Sequence, residues 1–341
     1  MLHIAQCMTD RSKCKILGQL PTAVPLVLAG CTGRQSALDP AGQEAAEVHH
    51  LFVVMVIGGG FIWLAVIGLL LHSLRGQQRQ TWSEEGAGRL IAWGGVAFPV
   101  VVLFALLVYA VWLMPSVRPW LARTVPEPTL IEVTGEQFWW RIRYPAEDGV
   151  AGFETSNELR LPVGERVAFS LRAADVIHSF WIPSLGGKMD MIPGRTNVLS
   201  LLPTRTGVFK APCAEFCGTS HTYMAFSVVV MEREAYDDWR RKQASGNQPE
   251  GSEGEELFTH HGCAACHSVR GTTPVAGLGP DLTHFAERET VGAGTLANTR
   301  ENIERFIRDP SAIKPGAQMP AFDMVPQGEI AAISEFLAGL R

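Results

Sequence analysis

The chain has 341 residues, which is enough for two or three domains. Its net charge of −5 gives no reason to expect nucleic acid as a partner. Only 18% of the residues are charged, which favours a membrane protein over a soluble one.

Residues 1–30 have the features of an export signal. Basic residues precede an apolar run that begins at Ile16, and small residues end it at Leu28-Ala-Gly-Cys31. Small residues directly before a cysteine also resemble a bacterial lipoprotein box, so Cys31 is predicted to carry lipid at the mature N-terminus. An ordinary signal peptide and an uncleaved segment are the alternatives.

Two apolar runs follow an outer segment over residues 31–48. Leu51 to Leu71 has 21 uncharged residues and Leu90 to Met114 has 25. At 1.5 Å per residue, each can span about 30 Å of hydrocarbon, which predicts a transmembrane hairpin over residues 49–115. Arginines concentrate in the connecting loop, so the loop is expected in the cytoplasm and the rest of the chain on the outer face of a bacterial inner membrane.

Residues 116–240 are predicted to form an all-β domain. Short stretches with alternating or β-branched side chains are bounded by Pro and Gly, a pattern typical of a Greek-key sandwich or barrel. The predicted strands lie at 159–161, 165–171, 197–202 and 225–230.

Five soft or borderline metal ligands belong to this domain. Cys213, Cys217, His221 and Met224 fall within twelve residues, and His178 lies upstream. Thiolate, thioether and imidazole suit copper, and two thiolates bridging two coppers, each capped by one histidine, would use every ligand. A disulfide, a zinc site and unpaired core thiols are the alternatives.

A Gly-, Ser- and Pro-rich stretch predicts a flexible linker over residues 241–254, followed by a small helical domain over 255–341. Cys263-Ala-Ala-Cys266-His267 matches the attachment signature of c-type haem. The histidine would ligate iron, and a thioredoxin-like pair or half a zinc site are the alternatives. Helices are predicted at 253–261, 299–308 and 327–340.

The second iron ligand is predicted to be Met319, which resembles the distal Met of class I cytochromes c. Met324 is the runner-up. The remaining histidines of this domain, His260, His261 and His284, are expected to be surface or packing residues.

Together these motifs resemble subunit II of cytochrome c oxidase with a fused C-terminal cytochrome c domain, as in the caa-type haem–copper oxidases. Besides the copper loop, the resemblance is carried by Asp175–Pro183, Lys188–Asn197 and Gly135–Pro145, within a region from about residue 45 to 235. It implies a multidomain membrane protein with a two-helix transmembrane hairpin, an all-β cupredoxin-like Greek-key domain and an all-α class I cytochrome c domain.

The resemblance also implies roles for individual residues. Cys213 and Cys217 would bridge the two coppers of copper A, with His178 and His221 as terminal ligands. Met224 would be a weak axial ligand. Glu215 would ligate copper through its backbone carbonyl, and its carboxylate would face a Mg ion at the subunit I boundary.

Aromatic residues 138–140 occupy the segment to which the family assigns electron entry. The first position is usually Trp and is Phe138 here, followed by Trp139 and Trp140. A fused donor could dock elsewhere and relax that position.

The predicted function is that of an electron-input subunit. Haem c would accept an electron from a quinol-cytochrome c reductase or from a soluble or membrane cytochrome c and pass it to copper A. Subunit I, assembled with subunit III, would then reduce oxygen to water, because this chain lacks the histidine cluster of a haem–copper centre. Two alternatives remain: the input subunit of a copper-A-containing nitric oxide reductase, and a tethered copper-delivery protein, to which a redox haem would be of no use.

Overall fold

The computed structural model of the chain describes residues 32–75, 83–117, 129–246, 251–272 and 276–341. The predicted signal peptide and Cys31 lie outside these residues.

Two long apolar helical rods lie before the globular part of the chain. Helix α1 is Gln43–Arg75. The second rod is α2 (Glu84–Leu90), a π-helical stretch (Ile91–Ala97) and α3 (Phe98–Val117). The most apolar 18-residue window of the first is 0% buried and that of the second 6%, so neither is the core helix of a soluble domain. Their length and exposed apolar surface therefore suit a bilayer.

The all-β domain consists of two main sheets. One has the strand order β3-β2-β1-β5-β8 and the other β4-β10-β9. The pairs β1–β5 and β4–β10 are parallel, whereas the other pairs within these sheets are antiparallel. The strands are β1 Thr129–Glu136, β2 Trp139–Tyr144, β3 Phe153–Ser156, β4 Glu158–Pro162, β5 Val167–Ala173, β6 His178–Phe180, β7 Met189–Met191, β8 Asn197–Leu201, β9 Gly207–Pro212 and β10 Ala225–Met231.

A shared core between the sheets holds this domain together. The fully buried rings of Trp140, Phe180 and Phe226 contact one another, with centroid distances of 5.1 to 6.3 Å. Burying such side chains contributes roughly 1.5–3 kcal/mol each. The four strands predicted from the sequence are confirmed, within two residues at each end.

Helix α4 (Arg233–Ala244) ends this domain and continues into the segment 241–254 that the sequence predicted as a linker. Its Trp239 packs edge-on against the rings of Tyr144 and Phe153, at 5.1 and 5.4 Å. The boundary between helix and linker therefore lies further along the chain than predicted, because the helix continues to Ala244.

The C-terminal domain is mainly helical. Its elements are α5 Glu253–His260, the two-residue strands β11 Thr290–Val291 and β12 Leu296–Ala297, α6 Arg300–Arg308, α7 Pro310–Ile313 and α8 Gln327–Gly339. Side-chain oxygens of Ser252, Thr299 and Asp309 accept hydrogen bonds from the first turns of α5, α6 and α7, as N-cap residues do. Phe258, Ile303 and Phe336 are among the residues of a separate hydrophobic core. The predicted fold class is confirmed.

Candidate functional site

The loop of residues 213–224, here called the copper loop, joins the neighbouring antiparallel strands β9 and β10. Cys213 directly follows β9 and Met224 directly precedes β10, and a backbone hydrogen bond from Cys213 N to Met224 O (2.8 Å) closes the loop at its base. His178 opens the separate strand β6 and is fully buried. Because paired strands fix both ends, the ligand positions are held by the sheet.

The five side chains singled out by the sequence lie together. The sulfur atoms of Cys213 and Cys217 are 3.9 Å apart, far beyond the length of about 2.05 Å of a disulfide bond. His178 Nδ1 lies 3.9 Å from Cys213 Sγ, and His221 Nδ1 lies 3.6 Å from Cys217 Sγ. Met224 Sδ is 3.8 Å from Cys217 Sγ. An imidazole therefore stands on each side of a thiol pair, with a thioether beside it.

The backbone carbonyl of Glu215 belongs to the same cluster, since its oxygen lies 3.3 Å from Cys213 Sγ. The Glu215 carboxylate points elsewhere. It is 44% exposed, and Lys188 Nζ lies 3.4 Å from it. The backbone of Glu215 therefore faces the thiol cluster, whereas its side chain lies at the surface beside Lys188.

The two thiols are electrostatically coupled. The hydrogen bond with Cys217 lowers the pKa of Cys213 to about 4. The same bond raises the pKa of Cys217, since a thiolate beside it opposes a second negative charge. The first thiol thus ionises more readily than the second, and a cation held by both sulfurs would favour the thiolate form of each.

Two polar residues orient the ligands. Asp175 Oδ1 lies 2.8 Å from His178 Nε2, which leaves Nδ1 facing Cys213. Burial lowers the pKa of His178, but hydrogen bonds to Cys213 and Asp175 outweigh it and raise the pKa overall. Gln137 donates from Nε2 to Cys217 O (2.6 Å) and from its backbone N to Asp175 (2.6 Å), so it ties the two ligand loops together. Such supporting contacts are typical of protein metal sites.

The aromatic segment 138–140 lies beside this cluster. Trp140 is fully buried, with its ring 6.2 Å from that of His178. Phe138 is 6% exposed, whereas Trp139 is only partly buried and lies under the Arg141 guanidinium at 4.7 Å. The three residues therefore extend from the cluster toward the surface of the domain.

The C-terminal domain presents a second cluster. Cys263 and Cys266 are free thiols, and His267 follows them. His267 Nδ1 lies 2.9 Å from the carbonyl oxygen of Pro280, which fixes the tautomer and leaves Nε2 available for iron. Burial lowers the pKa of His267, so the imidazole is neutral as a metal ligand must be. A Cβ on Gly279 would come within 2.8 Å of the His267 ring, which explains the glycine at this position.

The two methionine candidates differ in surroundings. Met319 is partly buried and packs against the core of the C-terminal domain, whereas Met324 is 88% exposed. His260 is exposed, His261 lies 2.6 Å from Glu329, and the buried His284 lies 3.2 Å from the carbonyl oxygen of Ser245. The structure thus places these histidines as surface and packing residues.

The two clusters belong to domains that pack on each other. Arg141 Nη2 donates to Gly277 O (2.7 Å), two residues before the glycine at the His267 ring. On the other side, Ser220 Oγ donates to Pro315 O (2.5 Å), four residues before Met319. Both loops that carry or support the predicted iron ligands therefore contact the β domain, one at Arg141 and the other at Ser220.

The sequence does not identify the residues that support the two clusters. Arg141 and Gln137 lie inside the segment Gly135–Pro145, but no pattern there predicts their contacts with Gly277, Asp175 and Cys217. Lys314 is buried at the boundary between the domains, and no pattern in the sequence distinguishes it. Among the described residues, His178, Cys213 and Cys217 form the one group of three or more His, Cys, Asp or Glu residues close enough to hold a metal ion.

Two protein families match the chain. The family described as cytochrome c oxidase subunit II, periplasmic domain, matches residues 145–232, and the cytochrome c family matches residues 251–341.

Curated relatives match along nearly the whole chain. Cytochrome c oxidase subunit 2 of Alkalihalophilus pseudofirmus is 35% identical over 337 residues, covering 93% of this chain and 94% of the relative. The protein of the same name from Bacillus subtilis is 32% identical, covering 93% and 95%. Among solved structures, the periplasmic domain of subunit II of cytochrome oxidase from Bradyrhizobium japonicum is 32% identical, with a TM-score of 0.33, and covers 35% of this chain and 96% of that chain.

Proposed function

This chain belongs to the cytochrome c oxidase subunit II family and has an electron-input role in a terminal oxidase with copper A and haem c as its cofactors, and we propose specific residues and partners for that role. When bound, the haem accepts an electron from outside and copper A passes it on to the haem–copper subunit I. Oxygen reduction takes place on that partner chain.

For copper A we propose His178, Cys213, Cys217, His221 and Met224 as side-chain ligands, with the carbonyl of Glu215 as a further ligand. Support comes from the donor chemistry: two thiols 3.9 Å apart, with an imidazole Nδ1 within 3.9 Å of each, form a set of soft and borderline ligands. Asp175 and Gln137 orient them. Trp140 beside His178, with Phe138 and Trp139 toward the surface, forms the aromatic route for electron entry.

For haem c we propose covalent attachment through Cys263 and Cys266, with His267 and Met319 as axial ligands. The hydrogen bond of His267 Nδ1 to Pro280 O supports this, since it orients Nε2 for iron. The partly buried position of Met319 supports it over the exposed Met324. A thioether opposite a histidine raises the potential of the haem, which suits a donor to copper A.

A Mg ion on the Glu215 carboxylate is a weaker proposal. The carboxylate is accessible, but the Lys188 ammonium lies 3.4 Å from it, and a cation there would be repelled. Magnesium at this position would require Lys188 to turn away when subunit I binds.

We also propose how the chain sits in the cell. Two candidate membrane spans, Gln43–Leu74 and Glu84–Pro115, would make the protein multi-pass, with both redox domains on the outer face. Cys31 would carry lipid. Subunit III would complete the complex, and a cytochrome c or a quinol-cytochrome c reductase would reduce the haem.

The observation that carries the proposal is the packing of the C-terminal domain (the haem domain) onto the all-β domain (the copper domain) through the loop next to His267 and the loop before Met319. In the purified chain loaded with copper and haem, rapid photoreduction of the haem should be followed by electron transfer to copper at a rate independent of protein concentration. Cys217→Ser, which keeps the haem but removes a bridging thiol, should abolish this phase. A rate that rises in proportion to protein concentration would contradict internal transfer.

A further inference from the structure

Lys314 lies at the boundary between the copper and haem domains. Lys314 is only 3% exposed. Lysine is almost never buried unless its ammonium has hydrogen-bond partners. The ammonium donates to Phe138 O at 2.5 Å and to Gly292 O at 2.9 Å. Phe138 belongs to the copper domain and Gly292 to the haem domain, so one side chain joins the two.

The neighbours of Lys314 reinforce this contact. Ser220 of the copper loop donates to Pro315 O, the next residue in the chain. Gly316 has φ +79°, a left-handed conformation that favours glycine, and a Cβ there would lie 3.3 Å from the Phe138 ring. The haem-domain backbone therefore approaches the Phe138 ring directly, three residues before the proposed ligand Met319.

We propose that Lys314 is a positioning residue that holds the haem domain against Phe138, so that the haem faces the copper domain in one fixed orientation for electron transfer. This rests on the proposed function, because it assumes that haem c is the donor to copper A. The hydrogen bonds of Lys314 go to backbone carbonyls and not to the proposed haem or copper ligands, so it acts through Phe138 and the 314–316 loop, while its charge also interacts with Cys217.

The bridge does not depend on the charge of Lys314. Burial lowers the pKa of Lys314 to about 7. A neutral amine still has two N–H donors, so both carbonyls can remain satisfied when the proton is lost. Removing the nitrogen, in contrast, leaves the carbonyl oxygen of Phe138 without this donor, which costs about 1–3 kcal/mol, whereas Gly292 O still accepts a hydrogen bond from Thr295 Oγ1 at 2.7 Å.

The test compares Lys314→Met, which keeps the length of the side chain but has no donor, with Lys210→Met, which changes an exposed lysine of the copper domain. In the full chain loaded with copper and haem, Lys314→Met should slow electron transfer from haem to copper by on the order of tenfold. The potential of the haem should stay unchanged; the copper potential is measured as well, because the charge of Lys314 interacts with Cys217. Lys210→Met should leave the transfer rate unchanged.

A second measurement follows the interface itself. Amide hydrogen exchange of segments 135–141 and 288–295 should become faster in Lys314→Met and not in Lys210→Met. Ser220→Ala, which removes the bond to Pro315 O, should have a smaller effect in the same direction, and it keeps the test decisive if Lys314→Met fails to fold.

Three results would overturn the proposal: an unchanged transfer rate in Lys314→Met, slower transfer accompanied by a shifted haem potential, or unchanged exchange at both segments. If the unmodified chain shows no internal transfer, the proposed function fails. The exchange measurement would still decide whether Lys314 holds the two domains together.

Discussion

At the scale of single residues, the two methionines near the end of the chain provide a matched pair. Met319 packs against the haem-domain core, whereas Met324, five positions later, is 88% exposed. A thioether ligand stabilises reduced haem iron, so Met319→Ala should lower the midpoint potential by on the order of 100 mV.

The matched variant Met324→Ala should leave the haem potential unchanged, because its side chain is in solvent. In both variants the haem should remain covalently attached through Cys263 and Cys266. Redox titration followed by the haem absorption measures the potential, and denaturing electrophoresis with haem staining measures attachment. A lowered potential in Met324→Ala alone would reverse the assignment of the ligand.

The sequence was sufficient to predict which residues form the clusters but not which residues support them. Cys, His and Met are rare residues with distinctive chemistry, and four of the copper candidates fall within one loop. Lys314 and Phe138 are separated by 176 positions, and their contact depends on how two domains pack. No local pattern in the chain encodes that packing.

At the scale of secondary-structure elements, the first turn of α1 is fastened to the copper domain. Glu44, 1% exposed, accepts from Arg166 Nη1 at 2.5 Å and from Leu202 N at 3.0 Å. An acidic residue in the first turn also complements the helix dipole. The helix expected to enter the membrane is thereby connected rigidly to the domain that holds the copper cluster.

Glu44→Gln should destabilise the copper domain by about 2–4 kcal/mol, because the partly buried Arg166 guanidinium loses its counter-charge. Denaturant unfolding of the detergent-solubilised chain, followed by tryptophan fluorescence, measures the change. The control is Asp39→Asn, which breaks the exposed ion pair with Arg205 (3.0 Å, side chains 36% and 50% exposed). That change should cost less than about 1 kcal/mol. Equal effects would show that Glu44 is no more than a surface contact.

Long elements with a clear sequence pattern were easier to predict than short ones. The sequence of β5 alternates, and the helices α5 and α6 carry side-chain N-caps at Ser252 and Thr299, so these elements were expected from the sequence. The strand β6 has three residues, His178–Phe180, and pairs with the equally short β7. Such short strands have too few residues to show a period, and they form because the neighbouring sheets bury them.

At the scale of the whole molecule, the structure shows the haem domain packed on the copper domain, whereas the linker predicted from the sequence suggested a freely tethered haem domain. A flexible linker predicts that the haem domain reaches copper A by diffusion at high effective concentration. The structure instead shows contacts through Arg141, Ser220 and Lys314. The carbonyl of Gln243, near the end of α4, also accepts from Arg270 Nη2 at 2.7 Å, so the copper domain's last helix touches the haem domain as well.

Lengthening the linker distinguishes the two arrangements. Ten Gly and Ser residues inserted between Asn247 and Gln248 would more than double the segment that joins α4 to α5. For a free tether, effective concentration falls with about the −3/2 power of length, so the rate of haem-to-copper transfer should drop about threefold. A docked domain should show no change, since the interface and not the linker sets the distance between haem and copper.

The same insertion combined with Lys314→Met should make the transfer rate depend on linker length, because a weaker interface makes the encounter of the two domains rate-limiting. Flash photoreduction of the haem, with the copper absorption followed over time, measures all four chains. A threefold drop in the otherwise unmodified chain would show that the haem domain works as a tethered donor.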